Sequence, residues 1–198
     1  MRINLPEPLL LATTNPGKLR ELRALLDPYG IKLVDPRQAG LPDLQVDETG
    51  STYLENATLK ALAFLAASGL ASLADDSGLE VDALDGEPGL RSARYSPVPG
   101  ADDRSRRRQL LGRLASCPQP WSARFQCTLA VALPDGGLIS ASGTCEGLIV
   151  PDERGAGGFG YDPIFFFPEI GKTMAELDLP AKNEISHRAD AIHALFQP

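Results

Sequence analysis

Between Pro8 and Leu26 the chain reads PLLLATTNPGKLRELRALL, and its hydrophobic period changes once: a short continuous apolar run gives way to leucines at 19, 22, 25 and 26. A continuous run suits a strand covered on both sides, and the later spacing suits one stripe of a helix. The segment therefore predicts strand, turn, helix, the building unit of a layered α/β fold. Further along, IKLV reads as a second strand. Thr52 and Glu55 stand three apart as in a capping box and Gly69 supplies a stop, which predicts a helix of about four turns. LASLA then reads as a buried strand that delivers Asp75 and Asp76 at its carboxyl end, ahead of a Ser77-Gly78 turn. Open α/β sheets bind ligands at that end of their strands.

The stretch ALDGEPGLRSARYSPVPG is rich in turn formers and reads as a long functional loop. DDRSRRRQLLGRLAS follows as a helix, acids first and arginines later, the order the helix dipole favours. ARFQCTLAVAL and GLISASGTCEGLIV flank Pro134-Asp135-Gly136-Gly137, an antiparallel hairpin signal. GAGGFGYDPIFFFP is a glycine-rich loop entering an aromatic run. SHRADAIHALF reads as a closing helix with Ser186 as N-cap and Ala189, Ile192, Leu195 and Phe196 as its buried stripe. No internal repeat or long linker divides the chain, so a single domain over 1–198 is expected.

Several function classes are disfavoured by composition. A formal net charge of -7 offers no global positive field, which argues against nucleic acid or an anionic membrane as partner. The arginines of RSRRRQLLGR lack interleaved aromatics and read as a solvated helix face. The N-terminal apolar run is too short and too broken for a signal h-region or a membrane span. Three widely spaced cysteines without a C-x-x-C pair fit neither a disulfide framework nor a zinc site, and a reducing cytoplasm is the expected location.

Candidate chemistry gathers at six places. Thr13, Thr14, Asn15, Pro16, Gly17 and Lys18 lie where a strand gives way to a helix, a position that predicts an anion site. Lys60 is the only charged residue between Glu55 and Asp75, placed to approach a phosphate or the acids. Asp75 and Asp76, if extended, project to opposite faces, so one can bond local groups while the other binds Mg²⁺ or takes a proton from water. Asp47 and Glu48 precede a helix and can complete a hard-cation site. Phe159, Gly160, Tyr161 and Asp162 combine close backbone approach with rings able to stack on a base. Lys182, His187 and Arg188 add hydrogen-bond donors near the C-terminus, and His193 reads as structural.

The ordered set LATTNPGKLRELRALL, DETGSTYLENATLKA, ADDSGLEVDALDGEPGLRSARYS, GGFGYDPIFF and KNEISHRADAIHAL resembles the RdgB/HAM1 family of inosine/xanthosine triphosphate pyrophosphatases over nearly the whole length. The resemblance implies an α/β fold with a mixed central sheet flanked by helices, two lobes with a cleft between them, and a homodimer. It implies that Thr13, Asn15 and Lys18 hold the triphosphate, with Lys60 near the phosphates. It makes Asp76 general base and Mg²⁺ ligand, and Ser77 a substrate contact. It places base stacking on the Phe159–Asp162 motif, and base reading on Lys182, His187 and Arg188. A family metal acid matches either Asp47 or Glu48. The reaction implied is cleavage between the α- and β-phosphates of ITP, dITP or XTP, with selectivity from donors aimed at the 6-oxo group, which adenine lacks. Rival readings are a Maf-like nucleotide pyrophosphatase preferring other bases and a nucleotide-binding module without catalysis.

Overall fold

Residues 5–197 are described by a computed structural model, in which the N-terminal apolar run is strand β1 (Leu9–Leu11), buried along its whole length. β1 pairs in parallel with the short β2 (Leu33–Val34) on one side and with β3 (Ser72–Val81) on the other. The remaining strands are β4 (Trp121–Ala132), β5 (Leu138–Ile149), β6 (Phe165–Phe167) and β7 (Lys172–Thr173). Together they form one seven-stranded sheet in the order β2-β1-β3-β4-β5-β6-β7. The last three strands pair antiparallel, so the sheet is mixed. The expected hairpin joins β4 to β5, with Gly136 at φ 88° and Leu133 N–H donating to the Gly137 carbonyl at 2.9 Å.

By internal packing the chain forms two compact units, one made of residues up to Asp76, Cys127–Gly143 and those from His187 on, the other of Ser77–Gln126 and Thr144–Ser186. In the first, period-two alternation sorts side chains cleanly between two layers. Leu9, Leu11, Leu73, Cys127, Leu129 and Val131 pack with helices α1 (Pro16–Leu26) and α5 (His187–Phe196). Leu10, Ala12, Ala74, Ala130 and Ala132 pack with α2 (Tyr53–Ser68) through Ala57, Ala61 and Phe64. β1 is thus covered on both faces, which is why its sequence does not alternate. The predicted α5 stripe of Ala189, Ile192, Leu195 and Phe196 is buried. This helix lies so close to β5 that a Cβ on Gly143 would stand 2.2 Å from Ala191 N.

The second unit packs α3 (Asp103–Leu114) through Leu110 and Leu114 with Trp121, Phe125, Phe165 and Phe167. Ring centroids of Phe125 and Phe165 are 4.7 Å apart. Its long loop carries two short 3-10 turns, Asp82–Leu84 and Gly89–Arg94. The sequence pattern did not predict helix α4 (Leu179–Ile185), whose Asp178 caps it by accepting from Ala181 N–H.

Three local expectations change. Asp75–Gly78 is not a strand end followed by a turn: β3 continues through it to Val81. Thr52 caps α2 as expected, but Glu55 closes no box. Its carboxylate takes the Ser51 N–H and hydroxyl instead. The arginine-rich helix is not uniformly solvated, since Arg107 is buried.

Candidate active site

Because β3 runs extended through both acids, Asp75 and Asp76 leave it on opposite faces. Asp75 follows Leu73 onto the α1 and α5 side, and Asp76 follows Ala74 onto the α2 side. This separation gives two adjacent carboxylates different environments.

Asp75 is 1% exposed. Lys18 from α1 donates to its Oδ1, Arg188 Nε from α5 donates to its Oδ2 at 2.7 Å, and Cys127 Sγ lies 3.2 Å from the same oxygen. Arg188 also donates to Glu21, another buried acid of α1. Burial alone pushes the Asp75 pKa up, but the Arg188 guanidinium and Lys18 ammonium more than reverse this and hold it well below the ordinary carboxylate value. The Cys127 thiol is pushed well up, first by burial and then by the Asp75 charge, so it is a protonated donor.

Asp76 sits among weaker partners. Asn56 Nδ2 donates to its Oδ2 at 3.2 Å, and Lys60 Nζ donates to its Oδ1 at 3.1 Å. Lys60 also donates to Glu48 Oε1 at 2.8 Å and to the Asp75 carbonyl at 2.7 Å. Burial raises the Asp76 pKa; Lys60 and Lys18 oppose this and Glu48 adds to it, leaving the group more basic than an ordinary aspartate. Burial pulls Lys60 down, but the Asp76 and Glu48 carboxylates outweigh it and raise its pKa, so it remains an ammonium.

Between the two acids of the 47–48 pair, Glu48 is the one drawn to Lys60, while Asp47 is exposed. Among the described residues no cluster of three or more His, Cys, Asp or Glu side chains is arranged to hold a metal ion. What exists is a pair of carboxylates sharing one cation, a hard-oxygen donor set. Mg²⁺ typically takes one or two carboxylates and completes its shell with substrate phosphates and water, so the residues present fit it.

The strand-to-helix loop holds its amides differently from the expected anion site. Asn15 Oδ1 accepts from Gly17 and Lys18 N–H at 2.8 and 3.1 Å, Pro16 has no N–H, and Asn15 N–H donates to Thr13 Oγ1. Gly17 is buried, whereas Thr14, Asn15 and Pro16 are exposed. The loop therefore offers preorganised side chains rather than a row of open amides.

In the second unit, Asp162 organises the glycine-rich loop. Its Oδ2 accepts from Phe159 N–H at 2.9 Å and from Lys182 Nζ at 2.5 Å, and the Lys182 ammonium lies 5.2 Å from the Phe159 ring centroid. A Cβ on Gly158 would meet that oxygen at 1.9 Å, so glycine is required there. Asp103 and Arg107 of α3 hold the loop from below, bonding Gly160 N–H and its carbonyl at 2.7 Å each. Phe159 is partly exposed, but Tyr161 is core, its hydroxyl donating to the Ser92 carbonyl. Tyr161 is 4% exposed, so of the two rings expected to stack on a base Phe159 is the one with open surface. Ser77 is a partly exposed strand residue.

His187 and Arg188 are both buried, contrary to the solvent-facing position of an ordinary helix start. Arg188 donates to two acids, so its placement is that of a buried counter-ion. The structure thus brings together Lys18, Glu48, Lys60, Asp75, Asp76 and Arg188 in one unit, and Phe159, Gly160, Asp162 and Lys182 in the other. Sequence reasoning missed Glu21, Asn56, Cys127, Asp103 and Arg107. Helical spacing was the available signal for two of them, since Glu21 lies three residues after Lys18 and Asn56 four before Lys60.

The profile of the Ham1 family matches residues 9–198. The chain is 48% identical over 186 residues to a dITP/XTP pyrophosphatase of Desulforamulus reducens, covering 93% of this chain and 91% of that protein. It is 48% identical over 190 residues to a dITP/XTP pyrophosphatase of Thermus thermophilus, with 96% and 90% covered. Among solved structures, a HAM1 protein from Coxiella burnetii superposes with a TM-score of 0.82 at 40% identity, covering 93% of this chain and 94% of that one.

Proposed function

Since the chain belongs to the Ham1 family, we propose that it hydrolyses non-canonical purine nucleoside triphosphates, ITP, dITP and XTP, to the monophosphate and pyrophosphate. The observation that carries the mechanism is the unequal treatment of the two neighbouring acids. Asp75 is locked as a carboxylate by Lys18 and Arg188, whereas Asp76 faces α2 with a raised proton affinity. A base more basic than ordinary aspartate is better matched to removing a proton from water.

In this reading Asp76 takes a proton from the attacking water as its oxygen bonds to the α-phosphorus. The bond to the α,β-bridging oxygen breaks, and pyrophosphate leaves with the electron pair. No covalent enzyme intermediate is required. Lys18, held in place by Asp75, and Lys60, held by Glu48 and Asp76, supply positive charge for the triphosphate. Glu48 and Asp76 would hold Mg²⁺. When bound, the ion supplies charge neutralisation on the phosphate oxygens. The exposed Thr14 and Asn15 side chains contact phosphate oxygens, and Phe159, steadied by Asp162 and Lys182, stacks on the base.

The same reading carries a homodimer and a cytoplasmic location. Support for the latter is that Cys117, Cys127 and Cys145 are free thiols and that no helix among the described residues is long and apolar enough to cross a membrane. Light scattering after size exclusion tests the dimer.

The decisive assay is product analysis after incubation with ITP and Mg²⁺. IMP and pyrophosphate are expected, and IDP with phosphate refutes the cleavage site. Turnover of dTTP or UTP equal to that of ITP and XTP would instead favour a Maf-like preference.

A further inference from the structure

Asn56 is 0% exposed, an unusual position for a primary amide on a helix whose other buried residues are Ala57, Ala61 and Phe64. Both ends of its side chain are used. Its Oδ1 accepts the Gly50 N–H at 2.8 Å, and its Nδ2 donates to Asp76 Oδ2 at 3.2 Å. The first bond fixes the second: a backbone N–H can only donate, so the oxygen must face Gly50 and the NH₂ must face Asp76. One helical turn later on the same face, Lys60 donates to the other oxygen of that carboxylate at 3.1 Å. Two donors four residues apart on one rigid helix thus hold both oxygens of Asp76 and set its carboxylate plane. Gly50, two residues after Glu48, is tied to the same amide, and Glu48 itself meets Lys60.

We infer that Asn56 is a positioning residue for turnover: its amide orients the Asp76 carboxylate and fastens the Glu48-bearing segment to the same face of α2, setting the two acids in register. It touches no substrate atom; it acts through Asp76. Loss of the amide lets the carboxylate turn and frees the segment that carries the second acid. A misplacement of this kind lowers the chemical step more than substrate binding, which other residues supply. The inference rests on the reading of Asp76 as general base.

Its test compares Asn56→Ala with Asn56→Asp in the full chain, reading kcat, KM for ITP and hydrogen exchange of the Gly50 amide. Asn56→Asp is nearly isosteric and keeps an acceptor for Gly50, but its carboxyl either repels Asp76 or shares a proton with it, so the fixed amide donor to Asp76 is lost. If Asn56 only pins the loop, Asn56→Ala, which alone releases Gly50, loses more activity than Asn56→Asp. If it positions Asp76, kcat falls about tenfold to a hundredfold with KM within about threefold, while Gly50 stays protected. Asn56→Ala loses Gly50 protection and shows a similar fall in kcat. Parent-like kcat in Asn56→Asp, or in a folded Asn56→Ala, overturns the inference. Should neither variant fold, Gly50→Ala perturbs the same amide, because its Cβ would stand 2.7 Å from Asn56 Oδ1. A lowered kcat at unchanged KM is expected, and parent-like kcat refutes it. Failure of the parent itself to release pyrophosphate from ITP identifies the functional reading as the fault and takes the positioning role down with it.

Discussion

Asp75→Asn removes one charge from a network that is closed on one side of the sheet. Lys18, Arg188 and Cys127 all direct donors at Asp75, and Arg188 has Glu21 as its second acid. The substitution keeps the shape, but leaves two cations sharing one buried carboxylate. Breaking a buried ion pair from one side typically costs about 3–5 kcal/mol. Here the lower end applies, because Arg188 keeps Glu21 and the Lys18 side chain is 16% exposed and can be partly rehydrated. For a chain of this size about 3 kcal/mol corresponds to a fall in Tm of roughly 6–12 °C. The pH dependence sharpens the test. A carboxylate whose folded pKa is depressed contributes stability above its unfolded value, and loses it as pH falls through the folded value. The Tm gap between parent and Asp75→Asn should therefore be constant above about pH 5 and narrow progressively as pH falls below the ordinary carboxylate value toward the depressed folded one. Calorimetric melting from pH 3 to 8 measures it. A gap under about 2 °C at neutral pH, or one that stays constant to the lowest pH, would refute the assignment of Asp75 as buried counter-ion.

Asp76→Asn should abolish pyrophosphate release while ITP binding by calorimetry survives. Because a raised carboxylate pKa marks an ionised form that opposes folding at neutral pH, Tm should not fall, and a clear drop contradicts the placement. Lys60→Met removes the cation shared by Glu48 and Asp76; the acidic limb of kcat/KM should shift to higher pH, and an unmoved limb separates Lys60 from Asp76. Gly143→Ala places a Cβ 2.2 Å from Ala191 N and 2.4 Å from the His187 carbonyl, so urea unfolding should show a loss of about 1–3 kcal/mol, and a parent-like midpoint would mean that α5 can shift freely.

What the sequence alone determined was local. The change of period at Asn15, the Thr52 cap, the Gly69 stop, the α5 stripe and the Gly136 hairpin depend on residues within a few positions of one another, and α1, α2, α5 and the β4–β5 hairpin lie where that pattern placed them. The likeness of ordered motifs also named the chemistry, because it preserves which residue types occur together. Asp75 and Asp76 could be seen to diverge if extended, but not which would be neutralised. That depended on α1 and α5 closing over one face, 57 and 113 residues away along the chain. The burial of Arg188 was not legible for the same reason: burial of a charge is decided by what packs around it, and Glu21 and Asp75 meet it only through the tertiary fold. Strand alternation set the two directions, and packing alone gave one carboxylate two cations and left the other more basic.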